Sequence, residues 1–300
     1  MSASHKRILF AVSLTLVTAL ALSACQAPTA DDLFGQIKTR GTILVANDAN
    51  YAPQSVLVAG AQRAANTKCG PDELTANQME GFDVDTAVEI AKRLGVEACF
   101  VTPDWDVITA GQWGGRWDIS VGSMTITKPR QEIVWFSSGY YFTPAQLAAT
   151  SDSGIAKIED VAGKPVCVGT ATTYELYLTG QDVGIPATDI RVQPPANVQV
   201  VTLSTDAECA QAIQAGRTDF LAFMTSGTVV DQAISQGIPV VKVGDPVFVE
   251  NLAVAIDKKS AKDPTSLLTE INKAIEAMHA DGSLKNSSMK WFGADLTTAP

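Results

Sequence analysis

Residues 105–141 read WDVITAGQWGGRWDISVGSMTITKPRQEIVWFSSGYY. Asp106–Gly114 has the make-up of a short helix, and Trp117–Ser123 is an apolar strand that runs into a polar corner. Just beyond that corner stand Thr125 and Arg130. A hydroxyl, free backbone N–H groups and a guanidinium are the donors a carboxylate accepts from, and arginine can hold one bidentately. The stretch is also dense in aromatics: Trp105, Trp113, Trp117, Trp135, Phe136, Tyr140 and Tyr141. Most of these belong in a core, which leaves one or two as platforms for a ligand.

The same logic extends upstream. Asp31–Arg40 reads as a short helix stopped by Gly41, and Thr42–Asn47 as a buried strand. In Phe82–Leu94 the residues Val84, Ala87, Val88, Ala91 and Leu94 share a helical face that Gly95 ends, and Val96–Thr102 is the next strand. Strand–helix–strand units of this kind build parallel sheets with helical crossovers. Downstream the pattern restarts. Extended segments are expected at 133–142, 147–150, 165–169, 198–203, 220–223, 238–243 and 249–256. A helix should begin near Thr172, and Thr205 with Glu208 makes a capping box for another. The last long helix starts at Asp263-Pro264 and carries Leu267, Leu268, Ile271, Ala274, Ile275 and Met278 on one face.

Across 300 residues, 32 acidic side chains oppose 22 basic ones, for a formal charge of −10. That balance argues against nucleic acid or an anionic membrane surface as partner. The two histidines, His5 and His279, leave no material for a multi-histidine metal site, so neither a metal nor a cofactor is expected. Phosphate-cradling glycine loops, H-E-x-x-H and G-x-S-x-G are also missing from the sequence. The acid pairs Asp83/Asp85 and Asp104/Asp106 read as solvated loop residues.

The chain opens with Lys6 and Arg7, then the apolar run Ile8–Leu22 and Leu22-Ser23-Ala24-Cys25. The run is short for a membrane span and suits a signal peptide. The ending resembles a bacterial lipobox. It makes residues 1–24 a leader, Cys25 the lipidated first mature residue and 25–30 a tether. Cys69, Cys99, Cys167 and Cys209 remain, an even number in a compartment that permits disulfides. Three pairings are possible and spacing does not choose among them. In a two-domain chain, Cys69–Cys99 and Cys167–Cys209 would each close a loop within one domain.

Taken together, several stretches resemble the polar amino acid-binding family of extracytoplasmic solute-binding proteins that serve ABC importers. The first are Asp48-Ala49-Asn50-Tyr51-Ala52-Pro53, Gly81-Phe82-Asp83-Val84-Asp85 and Met124-Thr125-Ile126-Thr127-Lys128-Pro129-Arg130. They continue through Val134-Trp135-Phe136-Ser137, Gly163–Gly169, Thr172-Thr173-Tyr174-Glu175 and Gly216-Arg217-Thr218-Asp219. Asp281-Gly282-Ser283-Leu284 and Lys290-Trp291-Phe292-Gly293 close the series. They keep family order over essentially the whole mature chain.

The resemblance implies an α/β, two-lobed periplasmic-binding-protein clamp of type II. Each lobe is expected to be a mostly parallel sheet flanked by helices, with two hinge crossings. Lobe one would comprise 31–141 and 250–296, and lobe two 142–249, which puts the cysteine pairing above within lobes. The implied function is binding a small carboxylate-bearing solute, an amino acid or a derivative, by closure. A monomer tethered outside the cell membrane by its Cys25 lipid would hand it to an ABC permease. An enzyme of the cyclohexadienyl dehydratase type on the same fold and a sensory lipoprotein are the competing readings, and no general acid or base is evident for the former. Carried over residue by residue, Arg130 would bind the ligand carboxylate, helped by Thr125 and the backbone at Gly122 and Ser123. Thr172 and Thr173 would approach it from lobe two. Tyr51 and Trp105 would sandwich the side chain, with Asp48 near its distal end. The pattern departs at Met224, where the family usually places the aspartate that accepts the α-ammonium. Either Asp48, Glu175 or a residue of the long 49–81 insertion compensates, or the ligand lacks a normal free α-amino group, and that insertion either covers the pocket or is a surface loop pinned by Cys69.

Overall fold

Asp32 starts the first helix by accepting the Gly35 N–H at 2.6 Å, and Gly41, in the left-handed region, ends it. The computed structural model describes residues 31–300, so the expected leader and Cys25 lie outside the described residues. In chain order, α1 (Leu33–Arg40) leads into β1 (Thr42–Ala46), β2 (Asn50–Tyr51), β3 (Ser55–Leu57), β4 (Leu74–Thr75) and β5 (Met79–Glu80). Then come α2 (Phe82–Leu94), β6 (Glu97–Val101), α3 (Trp105–Thr109), β7 (Ile119–Thr125) and α4 (Lys128–Ile133). The strand β8 (Val134–Thr150) crosses to β9 (Pro165–Gly169), α5 (Thr173–Leu178), β10 (Gln199–Leu203), α6 (Asp206–Gln214), β11 (Ala222–Ser226) and α7 (Gly227–Ser235). The strand β12 (Val240–Asp257) returns to α8 (Thr265–Ala280) and α9 (Ser283–Phe292).

Nine strands form one hydrogen-bonded ladder in the order β10-β9-β11-β8-β12-β7-β1-β6-β4. At one end β1 pairs in parallel with β6 and β7, and at the other β9 pairs in parallel with β10 and β11. Between these blocks β8 and β12 run antiparallel, from Val134↔Asp257 to Thr150↔Val240. The sheets are therefore mixed, and the two expected crossings are two long strands. The sequence reads each as two short segments because Gly244-Asp245-Pro246 interrupts the apolar pattern of β12 and Thr143-Pro144 that of β8. The β12–β8 register shifts between Val243 and Phe248 without ending the strand.

Two lobes follow from where side chains are buried. In lobe one α2 and α8 cover β1, β6 and β7, around Ile43, Phe82, Ile90, Phe100, Val121 and Ile271. Each large apolar side chain buried this way contributes about 1.5–3 kcal/mol. In lobe two Leu147, Val166, Tyr174, Tyr177 and Phe248 form one cluster, and Cys167, Cys209, Phe220 and Phe223 lie in another. Along β8 the side chains pass from the lobe-one core at Tyr141 to the lobe-two core at Ala145. Along β12 they pass back between Phe248 and Leu252. Disulfides Cys69–Cys99 and Cys167–Cys209 each stay within one lobe.

The 49–81 stretch lies mostly at the outer edge of lobe one. There β4 pairs with β6, the Cys69–Cys99 bridge anchors the loop, and Arg63 donates to the carbonyls of Cys69, Gly70 and Glu73. Its two ends meet at the start of α2, where the Phe82 and Asp83 N–H groups donate to the Pro53 and Gln54 carbonyls at 3.1 and 2.9 Å. Only glycine fits at position 81. Its φ is 133°, and a Cβ there would stand 2.1 Å from the Gln54 carbonyl oxygen. Among the described residues no helix is long and apolar enough to cross a membrane.

Candidate ligand-binding cleft

A cavity lies between the lobes at the ends of β1, β7, β9 and β10, beside the hinge strands. Nine of the ten residues expected at a site line it: Asp48, Tyr51, Trp105, Gly122, Ser123, Thr125, Arg130, Thr172 and Thr173. Met224 does not. It is fully buried in the lobe-two core with Leu147 and Phe248, so it neither faces a ligand nor leaves a gap at the wall. Tyr174, Ser204, Thr205, Asp206 and Glu250 also line the cavity. Of the 49–81 stretch Tyr51 lines it and Asn50 and Gln54 bond across to lobe two beside it, while the Cys69 loop is held at the outer edge of lobe one. Glu175 is spent locally, accepting the Ala171 N–H at 2.7 Å.

Arg130 is delivered by α4, whose N-cap Thr127 accepts the Arg130 N–H. Its guanidinium donates to the Thr125 carbonyl at 3.3 Å and, across the cleft, to the Ala171 carbonyl at 3.1 Å. It also sits 5.5 Å from the centre of the Trp105 ring. Among the described residues no carboxylate lies within ion-pair distance of it. Burial lowers its pKa to about 10, partly offset by the field of Glu250, so it stays charged at neutral pH. The Trp105 indole Nε1 is buried and has no acceptor among the described residues.

Ser123 on the cleft wall and Ala171, whose carbonyl Arg130 reaches from the other lobe, are both non-glycine residues at positive φ, 53° and 61°. A buried network fixes Ser123. Its hydroxyl donates to Asp83 at 2.6 Å, Tyr140 donates to the other Asp83 oxygen at 2.7 Å, and the Ser123 N–H donates to Tyr140 at 3.0 Å. Asp83 is therefore a supporting group behind the wall and not a solvated acid. Burial outweighs those two hydrogen bonds and raises its pKa to about 7.

The acids on the wall differ in how they are satisfied. Glu250, on β12 at the hinge, accepts from Thr125 of lobe one and Thr173 of lobe two at 2.6 Å each, and from Tyr174 at 2.5 Å. Asp206 opens α6 and is oriented by the Gly169 N–H and, at 3.2 Å, by the Thr225 hydroxyl. Gly169 permits that approach, since a Cβ there would stand 2.7 Å from Asp206 Oδ1. Burial raises Asp206 to about 8 and Asp48 to about 6, the latter against the Asn50 N–H that it accepts at 2.7 Å. Lobe-to-lobe bonds close the cleft around these groups. Gln54 donates to Thr228 at 2.6 Å, Asn50 to Thr205 at 3.3 Å, and the Lys128 N–H to the Gly184 carbonyl at 2.9 Å.

Two lobes joined by paired strands and closed over a polar, buried cavity define the class of two-lobed solute-binding clamps. The profile of the bacterial extracellular solute-binding proteins, family 3, matches residues 67–294, and the chain belongs to that family. It is similar to the L-cystine-binding protein TcyJ of Escherichia coli K12, 30% identical over 272 residues that cover 89% of this chain and 88% of the relative. Among solved structures it resembles an ancestral arginine-binding protein bound to arginine, with TM-score 0.66 and 29% identity over 84% of this chain and 99% of the other. It also resembles an ancestral amino acid-binding protein, AncCDT-1, described as a precursor of cyclohexadienyl dehydratase. That match has TM-score 0.68 and 28% identity over 86% of this chain and 99% of the other. The protein is thus an extracytoplasmic, non-enzymatic receptor that binds a small amino-acid-like solute between its lobes and cooperates with an ABC permease.

Proposed function

We propose that the solute is an amino acid whose carboxylate is held by Arg130 in the interlobe cleft, and that the protein works as a monomer anchored through a lipidated Cys25 once residues 1–24 are removed. One observation carries the site: a buried guanidinium on the cavity wall with no carboxylate at ion-pair distance among the described residues. Leaving such a cation without an anion is costly, and a ligand carboxylate repairs it. Gly122, Ser123 and Thr172 frame that carboxylate, while Tyr51 and Trp105 flank the side chain. Thr125 and Thr173 have one hydroxyl proton each, now given to Glu250, so they join the carboxylate only by leaving it. Lobe one is taken as 31–141 with 250–296 and lobe two as 142–249, a division supported by the change of core along β8 and β12.

Calorimetry with the twenty amino acids against wild type and Arg130→Ala tests the site. Wild type should bind at least one, and the variant should lose it while circular dichroism stays native. An unchanged affinity sinks the assignment of Arg130. Cys25→Ala should move the protein from the membrane fraction to the soluble fraction, and a variant that stays in the membrane rejects the anchor.

A further inference from the structure

The cleft holds an imbalance of charge. One cation, Arg130, faces three carboxylates, Asp48, Asp206 and Glu250. Glu250 already accepts from three hydroxyl donors drawn from both lobes, two at Oε1 and one at Oε2, which fill most of its acceptor positions. Asp48 and Asp206 have no cation within ion-pair distance among the described residues, although each is desolvated, Asp206 lies in the fields of Glu250 and Asp48, and Asp48 lies in those of Glu208 and Asp104. A buried carboxyl without a cation holds its proton more tightly, so an entering anion for Arg130 and an entering cation beside each of Asp48 and Asp206 would complement the site. The position of Asp206 explains how the site manages without an acid on β11. Thr225, the neighbour of Met224, points its hydroxyl to Asp206, so the carboxylate on α6 stands beside the strand that would otherwise supply one. A single arginine on the wall cannot pair the two carboxylates of a cystine molecule, whereas two acids can pair two cations.

Resting on the reading of Arg130 as the carboxylate anchor, we infer that the cleft selects an amino acid with a cationic side chain, Asp206 accepting the α-ammonium and Asp48 the distal cation. Tyr51 and Trp105 then bracket the stem between the two ends, and an aromatic face also suits a guanidinium. Asp206 and Asp48 thus set specificity by pairing charge that a neutral side chain leaves unpaired.

The test is calorimetry of the mature chain with L-arginine, L-lysine, L-citrulline, L-cystine and N-acetyl-L-arginine. Citrulline is the neutral near-isostere of arginine, and the acetyl group removes the α-ammonium. Arginine or lysine should bind on the order of 100-fold more tightly than citrulline and cystine, and N-acetylarginine should be lost. Asp48→Asn should collapse the arginine-to-citrulline ratio to within about tenfold, and Asp206→Asn should weaken arginine binding by about 100-fold or more with native circular dichroism. Citrulline or cystine binding as tightly as arginine overturns the inference, as does failure of both arginine and lysine to bind. If such a ligand is then lost in Arg130→Ala, the carboxylate anchor stands and only the charge selection falls. If Arg130→Ala has no effect, both fall.

Discussion

The Thr173 hydroxyl of lobe two donates to Glu250 Oε1 at 2.6 Å, the same oxygen that Thr125 of lobe one reaches. A hinge carboxylate therefore bridges the two lobes of the closed clamp. Hydrogen bonds to a charged group are worth about 1.5–3 kcal/mol each, enough to shift a balance between open and closed clamps. Glu250→Ala should open the unliganded protein, seen as a larger radius of gyration by small-angle scattering. A radius equal to wild type rejects Glu250 as a latch.

Thr125 and Arg130 were legible because they follow one another on a single strand–turn–helix unit. Asp206 and Glu250 were not, for physical reasons. Asp206 follows Thr205 in a helix-capping pattern, where an acid at the helix start is expected without any ligand. Glu250 sits inside a long strand whose apolar residues announce only extension. Met224 was ambiguous in the sequence because β11 is buried on both faces. Phe223 packs into one cluster and Met224 into the other, so periodicity alone does not say which side meets the cleft. The hinge strands were read in pieces because a bulge breaks the apolar pattern and leaves the ladder running.

The raised acids set the pH response of the empty protein. Asp48, Asp83 and Asp206 have folded-state values of about 6, 7 and 8, against 3.8 ordinarily. The folded state holds more protons than the unfolded one within each interval, so stability falls as pH rises through it. Surface acids lowered by their partners, such as Asp281 at about 2, act below this range. Unliganded protein should therefore melt at a lower temperature at pH 8 than at pH 5. Asp83→Asn should flatten that slope while keeping the carboxyl shape. A melting temperature that climbs between pH 5 and 8 contradicts these environments.

The two disulfides should behave differently. Cys167–Cys209 spans 42 residues and joins β9 to α6, the strand and helix that bring Gly169 to Asp206. Cys69–Cys99 spans 30 residues at the far edge of lobe one. Losing either cross-link should cost about 2–5 kcal/mol through the entropy returned to the unfolded chain. Only Cys167→Ala/Cys209→Ala should also weaken solute binding, because only it frees the approach to Asp206. Denaturant melts and calorimetry on the two double variants separate these effects. Equal loss of affinity in both is inconsistent with a local role for the second bridge.

A cation placed beside Asp206 should lower the pKa of its carboxyl from about 8, since an opposite charge favours the ionised form. Below that value binding must expel a proton, so affinity should rise with pH from 6 to 8 and then level off. The slope is bounded at about tenfold per pH unit for a single proton. Titrations of L-arginine in phosphate and in Tris at pH 7 measure the release directly, because the observed heat changes with the ionisation enthalpy of the buffer. Asp206→Asn should remove that difference in whatever binding persists at high ligand concentration. The same heat in both buffers for wild type means that no proton leaves and that the α-ammonium finds a different acceptor.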